Sequence, residues 1–259
     1  MKELQAGGPI SSLWCDIDDT LTDRGRLGVA AYQALWRLHE GKVLIVPVTG
    51  RPAGWCDLVA RQWPVYGVVG ENGALFYRFD PGARRMNRRF VEGAQRPPIA
   101  ALLRALRLEV PRARVAADQP FRQFDLAIDF AEDVGPLSAE EVERIVALFE
   151  RYGAQAKVSS IHVNGWWGVW DKMQMIRRVI ADDQLDPGGA VYVGDSPNDQ
   201  PAFAGFDRSV GVANVEDFRW APGQGPVWRT QARGGVGFAE LAEAILEANE
   251  NLRASPSLR

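Results

Sequence analysis

Four short segments hold the residues whose chemistry could act together. The first is Asp16-Ile17-Asp18-Asp19-Thr20, at the end of a strand predicted over 13–17. Two carboxylates spaced i, i+2 where a strand ends can point into one crevice, and in open α/β sheets ligands sit beyond the carboxyl ends of strands. A helix-capping turn is an equally simple reading of that segment alone. The second is Thr49-Gly50-Arg51, after the β-branched run 42–48. Thr49 offers a hydroxyl, Gly50 lets a ligand approach the backbone, and the start of the next helix supplies free N–H groups that suit an anion. The third is Lys172, at the start of a helix predicted over 171–180. A cation is unfavourable at a helix N-terminus unless an anion compensates it, although a pairing with Asp171 would also serve. The fourth is Gly194-Asp195-Ser196-Pro197-Asn198-Asp199, after the strand predicted over 190–193. It sets two carboxylates and an amide at another strand end, in a composition also compatible with a plain turn. Each segment is weak alone. Their joint occurrence, each at a strand end or a helix start, is specific.

The elements that must position them alternate. A strand at 13–17, a helix over 26–40 stopped at Gly41, a strand at 42–48, a helix at 54–62 and a strand at 66–69 suggest a parallel α/β sheet. The last third resumes this style, with strands at 190–193 and 209–212 and a closing helix at 238–248. The middle differs. Asp80-Pro81-Gly82 marks a turn, and Arg84, Arg85, Arg88 and Arg89 fit the solvated face of a charged two-strand ribbon. A helix over 98–109, strands at 115–117, 123–130 and 157–163, and a helix over 139–151 capped by Ser138 and Glu141 form an α+β unit. The expected organisation is a core of residues 1–80 and 171–259 with an α+β cap inserted at 81–170. The tails, 1–10 and 250–259, are expected to fray.

Composition narrows the function classes. The 259 residues carry a net charge of −3 with ordinary apolar and charged fractions, which argues against disorder and against a general nucleic-acid binder. Two cysteines, Cys15 and Cys56, exclude a disulfide scaffold and are expected to be buried small apolar residues. Two histidines, His39 and His162, exclude a three-histidine metal site. No apolar run is long enough for a membrane span, and no secretory signal is visible, so a cytoplasmic protein with no membrane partner is expected.

The ordered set DIDDT, TGR, Lys172 and GDSPND resembles the haloacid dehalogenase superfamily, whose members carry Asp-x-Asp-x-Thr, a Ser or Thr, a Lys, and Gly-Asp-x-x-x-Asp. Gly70-Glu71-Asn72-Gly73-Ala74 resembles the Asn-Gly-Ala signature of its type IIB cap subgroup, and the layout is similar to the phosphatases of sucrose phosphate and mannosyl-3-phosphoglycerate. The resemblance implies a doubly wound, mostly parallel Rossmann-like core with an inserted α+β type IIB cap. It also implies an Mg²⁺-dependent phosphatase that works through an aspartyl-phosphate. Asp16 would be the nucleophile, and Asp18 the general acid and then base, a role that requires Asp18 to carry a proton in the substrate complex. Asp16, the backbone carbonyl of Asp18, and Asp195 would hold the metal, with Asp199 acting through water or by orienting Lys172. One departure is Asp19, where many relatives have Gly; aspartate tolerates the turn dihedrals that position requires.

Charge counting supports a metal. Asp16, Asp195, Asp199 and a phosphate dianion are strongly negative together, and Lys172 alone cannot balance them, so Mg²⁺ and backbone N–H groups near Asp18, Thr49 and Gly50 are expected to help. Arg51 and Asn72 are candidates to touch the phosphate, and Asn198 to orient it. His162, Asn164 and Trp166, near the return from the cap, are candidates to bind a sugar, with Trp167 a candidate to fill the hinge. The expected partner is a small phosphorylated metabolite, and the chain is expected to be a monomer or dimer. A sugar phosphomutase and a catalytically silent metabolite binder are the competing functions. A dehalogenase would leave Asp18 without a role.

Overall fold

The computed structural model describes residues 8–93, 99–159 and 161–254. Its centre is a five-stranded parallel sheet in the order β14-β13-β12-β1-β4. The strands are β1 (Ser12–Cys15), β4 (Leu44–Pro47), β12 (Ala190–Gly194), β13 (Ser209–Gly211) and β14 (Trp228–Arg229). Fully buried runs such as Ser-Leu-Trp-Cys and Ala-Val-Tyr-Val-Gly suit strands covered on both faces. On one face α1 (Val29–Glu40) and α7 (Gly234–Ala254) bring Leu35, Leu38, Phe238 and Leu241 against Leu13, Ile45 and Val191. On the other, α5 (Lys172–Asp182) and α6 (Gln200–Gly205) bring Met173, Ile176 and Phe203 against Trp14, Val46 and Tyr192. Helices on both faces make the sheet doubly wound.

Several boundaries differ from expectation for identifiable reasons. The segment expected as one helix over 26–40 begins with a hairpin, β2 (Thr22–Asp23) and β3 (Arg26–Leu27), because the Arg24-Gly25 turn at φ 50° and 74° reverses the chain first. The third strand, β5 (Val68–Gly70), touches the parallel sheet through one bridge, Val48 to Val69. It pairs antiparallel with β6 (Leu75–Asp80), which pairs with β7 (Arg85–Phe90). The arginine-rich strand thus lies beyond residue 80 in sequence yet hydrogen-bonds to Leu75–Asp80. α2 (Ala53–Gln62) covers this sheet through Cys56 and Val59. The closing helix runs to Ala254, past the point where fraying was expected, while residues 1–7 and 255–259 lie outside the described residues.

The inserted α+β unit has its own antiparallel sheet, β10-β11-β9-β8, built from β8 (Arg114–Val115), β9 (Asp125–Asp129), β10 (Gln155–Val158) and β11 (His162–Trp166). The single strand expected over 157–163 is therefore two, because the chain turns back after Val158 and pairs Val158 with Val163. α3 (Ile99–Glu109) and α4 (Ala139–Arg151) cover one face with Leu102, Leu106, Ile145 and Phe149. Ser138 and Glu141 form the expected capping box on α4.

One carboxylate ties the insert to the core. Glu71 follows β5 and is fully buried. It accepts backbone N–H bonds from Ala53 at the start of α2 (3.0 Å) and from Gln123, Phe124 and Asp125 in the insert. Glu71 and Asn72 hold left-handed φ values of 45° and 56°, which aim both side chains inward. At Gly73, φ 105°, a Cβ would meet the Asp171 carbonyl oxygen at 2.1 Å, so only glycine lets this turn rest on the start of α5. Glu71→Ala removes the shared acceptor from several buried amides. Each orphaned group costs ~1–3 kcal/mol, so a loss of about 2–4 kcal/mol is expected in urea unfolding, and a loss below 1 kcal/mol would show that water replaces the carboxylate.

Candidate active site

β12, β1 and β4 lie side by side, and the first, second and fourth segments leave their carboxyl ends. Asp16 is held at the end of β1 by its N–H bond to the Val193 carbonyl, 2.9 Å. The backbone then turns sharply: Thr20, Leu21 and Thr22 all donate to the Ile17 carbonyl, and Asp19 takes φ 57°, the unusual dihedral its aspartate was expected to tolerate. Thr49 ends the β4 side, where its hydroxyl accepts the Arg51 N–H at 3.0 Å and shapes the turn into α2. Gly194 ends β12. A Cβ there would meet Asp199 Oδ2 at 2.3 Å, so glycine is what lets that carboxylate fold back onto its own loop.

Lys172 joins these ends. It opens α5, whose N-terminus is capped by Asp171 accepting from the Gln174 N–H at 2.7 Å. Its buried Nζ donates to Asp16 Oδ1 at 2.6 Å and to Asp199 Oδ1 at 2.9 Å. Burial works against the ammonium charge, but the two carboxylates outweigh it and raise the Lys172 pKa. Asp199 also accepts the Tyr192 hydroxyl (2.6 Å) and the Asp195 and Ser196 N–H groups (3.1 and 3.4 Å). Both of its oxygens are thus committed to holding Lys172 and the 194–199 loop. By contrast, the Asp195 carboxylate accepts no hydrogen bond among the described residues, though it is buried.

Carboxylate oxygens of Asp16, Asp195 and Asp199 lie within 4.8 Å of one another. Three buried acids against one lysine leave negative charge uncompensated. Burial, then Asp199 and Asp18, push the Asp16 carboxyl up to about 8 against the pull of Lys172; burial, Asp199 and Asp16 push Asp195 up to about 9. An all-oxygen, anionic donor set with one acid left unpartnered fits a hard divalent cation.

Around this cluster the expected residues divide. A cavity of about 20 Å³, room for about one water, is lined by Asp16, Asp18, Gly50, Arg51, Asp195 and Asn198 from the core. His162 and Asn164 of β11 line it from the insert. Asn72 lies beside Gly50, and its amide nitrogen is buried without a partner among the described residues. Trp166 does not line the cavity. It is buried, stacks on Trp170 with ring centroids 6.1 Å apart, and packs on Ala74 where the chain returns to the core; it shares the face of β11 that carries His162 and Asn164, but lies one side-chain repeat further along the strand, past the end of the cavity. Trp167 packs on Phe149 within the insert.

Arg51 was expected near the phosphate. Its Nε contacts both oxygens of Asp18 (3.1 and 3.0 Å), and its Nη2 adds a bond of 2.8 Å to Oδ1. It also reaches Glu132 of the insert at 2.9 Å and lies over the Trp55 ring at 4.4 Å. His162 Nε2 sits 2.9 Å from Glu132, close to the carboxylate but off its N–H direction. His162 and Arg51 together hold the Glu132 carboxyl down at about 2. Arg122 makes the second crossing: buried, it pairs with Asp118 and Asp125 and donates to the Gly50 carbonyl at 2.8 Å. Asp118, Arg122, Glu132 and Tyr192 belong to none of the four segments, and the bonds of Glu71 to Phe124, of Arg122 to Gly50 and of Arg51 to Glu132 appear only when distant segments meet.

Asp16, Asp195 and Glu71, whose carboxyl burial and Asp125 push up to about 7, share one sign of linkage. The folded chain keeps protons that the unfolded chain has released. Each such group favours folding fully below its unfolded value near 4, and the contribution is lost as pH rises through the folded value. With a chelator present, Tm is therefore expected to fall between about pH 6 and pH 9, and a divalent cation is expected to restore most at the alkaline end. A larger cation effect at pH 6 than at pH 9 would contradict the cluster's assignment.

No protein-family model matches the sequence, and no curated protein is detectably similar to it. Solved structures are similar in fold. A protein of Thermoplasma acidophilum aligns with TM-score 0.73 at 15% identity, over 93% of this chain and 100% of its own. A haloacid dehalogenase-like hydrolase of Bacteroides thetaiotaomicron aligns at 0.67 and 14%, over 91% and 99%. The sucrose-phosphatase of Synechocystis, solved with sucrose and phosphate, aligns at 0.62 and 15%, over 92% and 98%. The parallel core with its inserted α+β unit is the fold of the haloacid dehalogenase-like hydrolases.

Proposed function

We propose that the chain is an Mg²⁺-dependent phosphatase of a small phosphorylated metabolite, a sugar phosphate, acting through an aspartyl-phosphate. The observation that carries this reading is Lys172, bonded at once to Asp16 and Asp199 beside the unpartnered Asp195 carboxylate. The sucrose-phosphatase among the structures of similar fold supports the sugar phosphate class.

Asp16, the Asp18 carbonyl and Asp195 would hold the metal, with Asp199 fixing Lys172 and the loop. The bound cation supplies charge neutralisation for the phosphoryl group. An Asp16 oxygen attacks phosphorus, the bond to the leaving oxygen breaks, and Asp18 gives that oxygen its proton. Asp18 then takes a proton from water, the water oxygen attacks phosphorus, and the bond to Asp16 breaks to release phosphate. Lys172 keeps the nucleophile oriented, and the amide of Asn72 and the backbone near Gly50 offer donors to the phosphoryl oxygens. A phosphoryl group does not fit in a space for one water, and Asp18 cannot deliver a proton while Arg51 covers both its oxygens. Arg51 must therefore shift on binding.

Phosphate release from a sugar phosphate panel is expected to need Mg²⁺, to stop on chelation, and to fall about 10³-fold or more in Asp16→Asn. Release that survives Asp16→Asn would overturn the reading.

A further inference from the structure

A second cavity, about 460 Å³, opens on the outer side of Asp18. The core contributes Asp18 and Arg51, the β2–β3 hairpin contributes Arg24 and Arg26, and the insert contributes Glu132 and Ile161. Asp18, Arg51 and Ile161 line this cavity and the small one at Asp16 as well, so the two adjoin at the residue assigned to protonate the leaving oxygen. A leaving group bonded to that oxygen extends into the larger space.

The charges there are unevenly matched. Asp18 and Glu132 already share Arg51. Arg24 and Arg26 are exposed, and among the described residues neither side chain has an ion pair or hydrogen bond. Asp19 is the one carboxylate on the wall left to face them. Their placement is also costly. Arg24 occupies the first position of a two-residue hairpin turn at φ 50°, a site that favours Asn, Asp or Gly. An arginine held there gives the hairpin tip a guanidinium that the turn itself does not need.

We propose that Arg24 and Arg26 bind a second anionic group on the leaving group, so that the substrate is a phosphomonoester carrying a carboxylate or another phosphate. This rests on the phosphatase reading and narrows its substrate class. Glu132 and the hydroxyls of the substrate meet on the opposite wall.

Two matched pairs test it: glycerol 3-phosphate against 3-phosphoglycerate, and fructose 6-phosphate against fructose 1,6-bisphosphate. In low salt the more anionic member of at least one pair is expected to have a kcat/KM about tenfold higher, mainly through KM, with the preference shrinking as salt rises. Which pair shows it separates carboxylate from phosphate. In Arg24→Asn/Arg26→Gln, which keeps a residue suited to the turn, the preference is expected to vanish while glycerol 3-phosphate turnover stays within about twofold. Equal turnover within both pairs, or a preference unchanged in the variant, overturns the proposal and leaves the phosphatase reading standing. No release from any of the four overturns both.

Discussion

The ammonium of Lys172 is what makes this arrangement of acids foldable. Asp16 and Asp199 are buried, and two carboxylates brought that close in a medium of low dielectric would repel strongly. One lysine between them converts repulsion into two short charge-assisted bonds. Its position in turn depends on the Asp171 cap and on Gly73, which lets the preceding turn lie against the start of α5. The site is thus an electrostatic compromise assembled from three strand ends and one helix start, and it still has more negative charge than its own residues can balance.

A second set of charges decides how the insert meets the core. Glu71 gathers amides from both, Arg122 reaches from the insert to the Gly50 carbonyl, and Arg51 reaches from the core to Glu132. These contacts are polar and largely shielded from water, which makes each directional. They differ in what they engage. Glu71 and Arg122 bind backbone and fixed partners, whereas Arg51 joins Glu132 of the insert to Asp18 at the end of β1. The insert is therefore joined to the core through an arginine that also lies on the wall of the site.

Much of this was legible from short-range patterns. DIDDT, TGR, Lys172 and GDSPND each lie next to an apolar strand or helix signal, so both the residues and the end of the sheet they share could be read locally. The Ser138–Glu141 capping box and the dihedral at Asp19 follow from the same kind of evidence. Three features resisted. The hairpin before α1 was hidden because its strands are two residues each. The turn between β10 and β11 was hidden inside a short β-branched run read as one strand, although its two serines break the alternation between Val158 and Ile161. Trp166 was placed with the site because it shares a strand face with His162 and Asn164, but it lies at the far end of that strand, where it packs on Trp170 and Ala74 instead. Glu71, Arg122 and Glu132 act across separations in sequence that no local pattern spans.

The chain leaves the core near Val91 and returns through Trp166 and Trp170, and both crossings meet at Ala74: Val91 donates to its carbonyl, and the two indoles pack on it. The indole planes are 26° apart at 6.1 Å. Chromophores that close couple their transitions, and the sign and size of the resulting circular-dichroism couplet depend on their mutual angle. One indole lies on the last residue of the insert's β11 and the other just before α5, so this pair is a native optical goniometer for the angle between the two bodies.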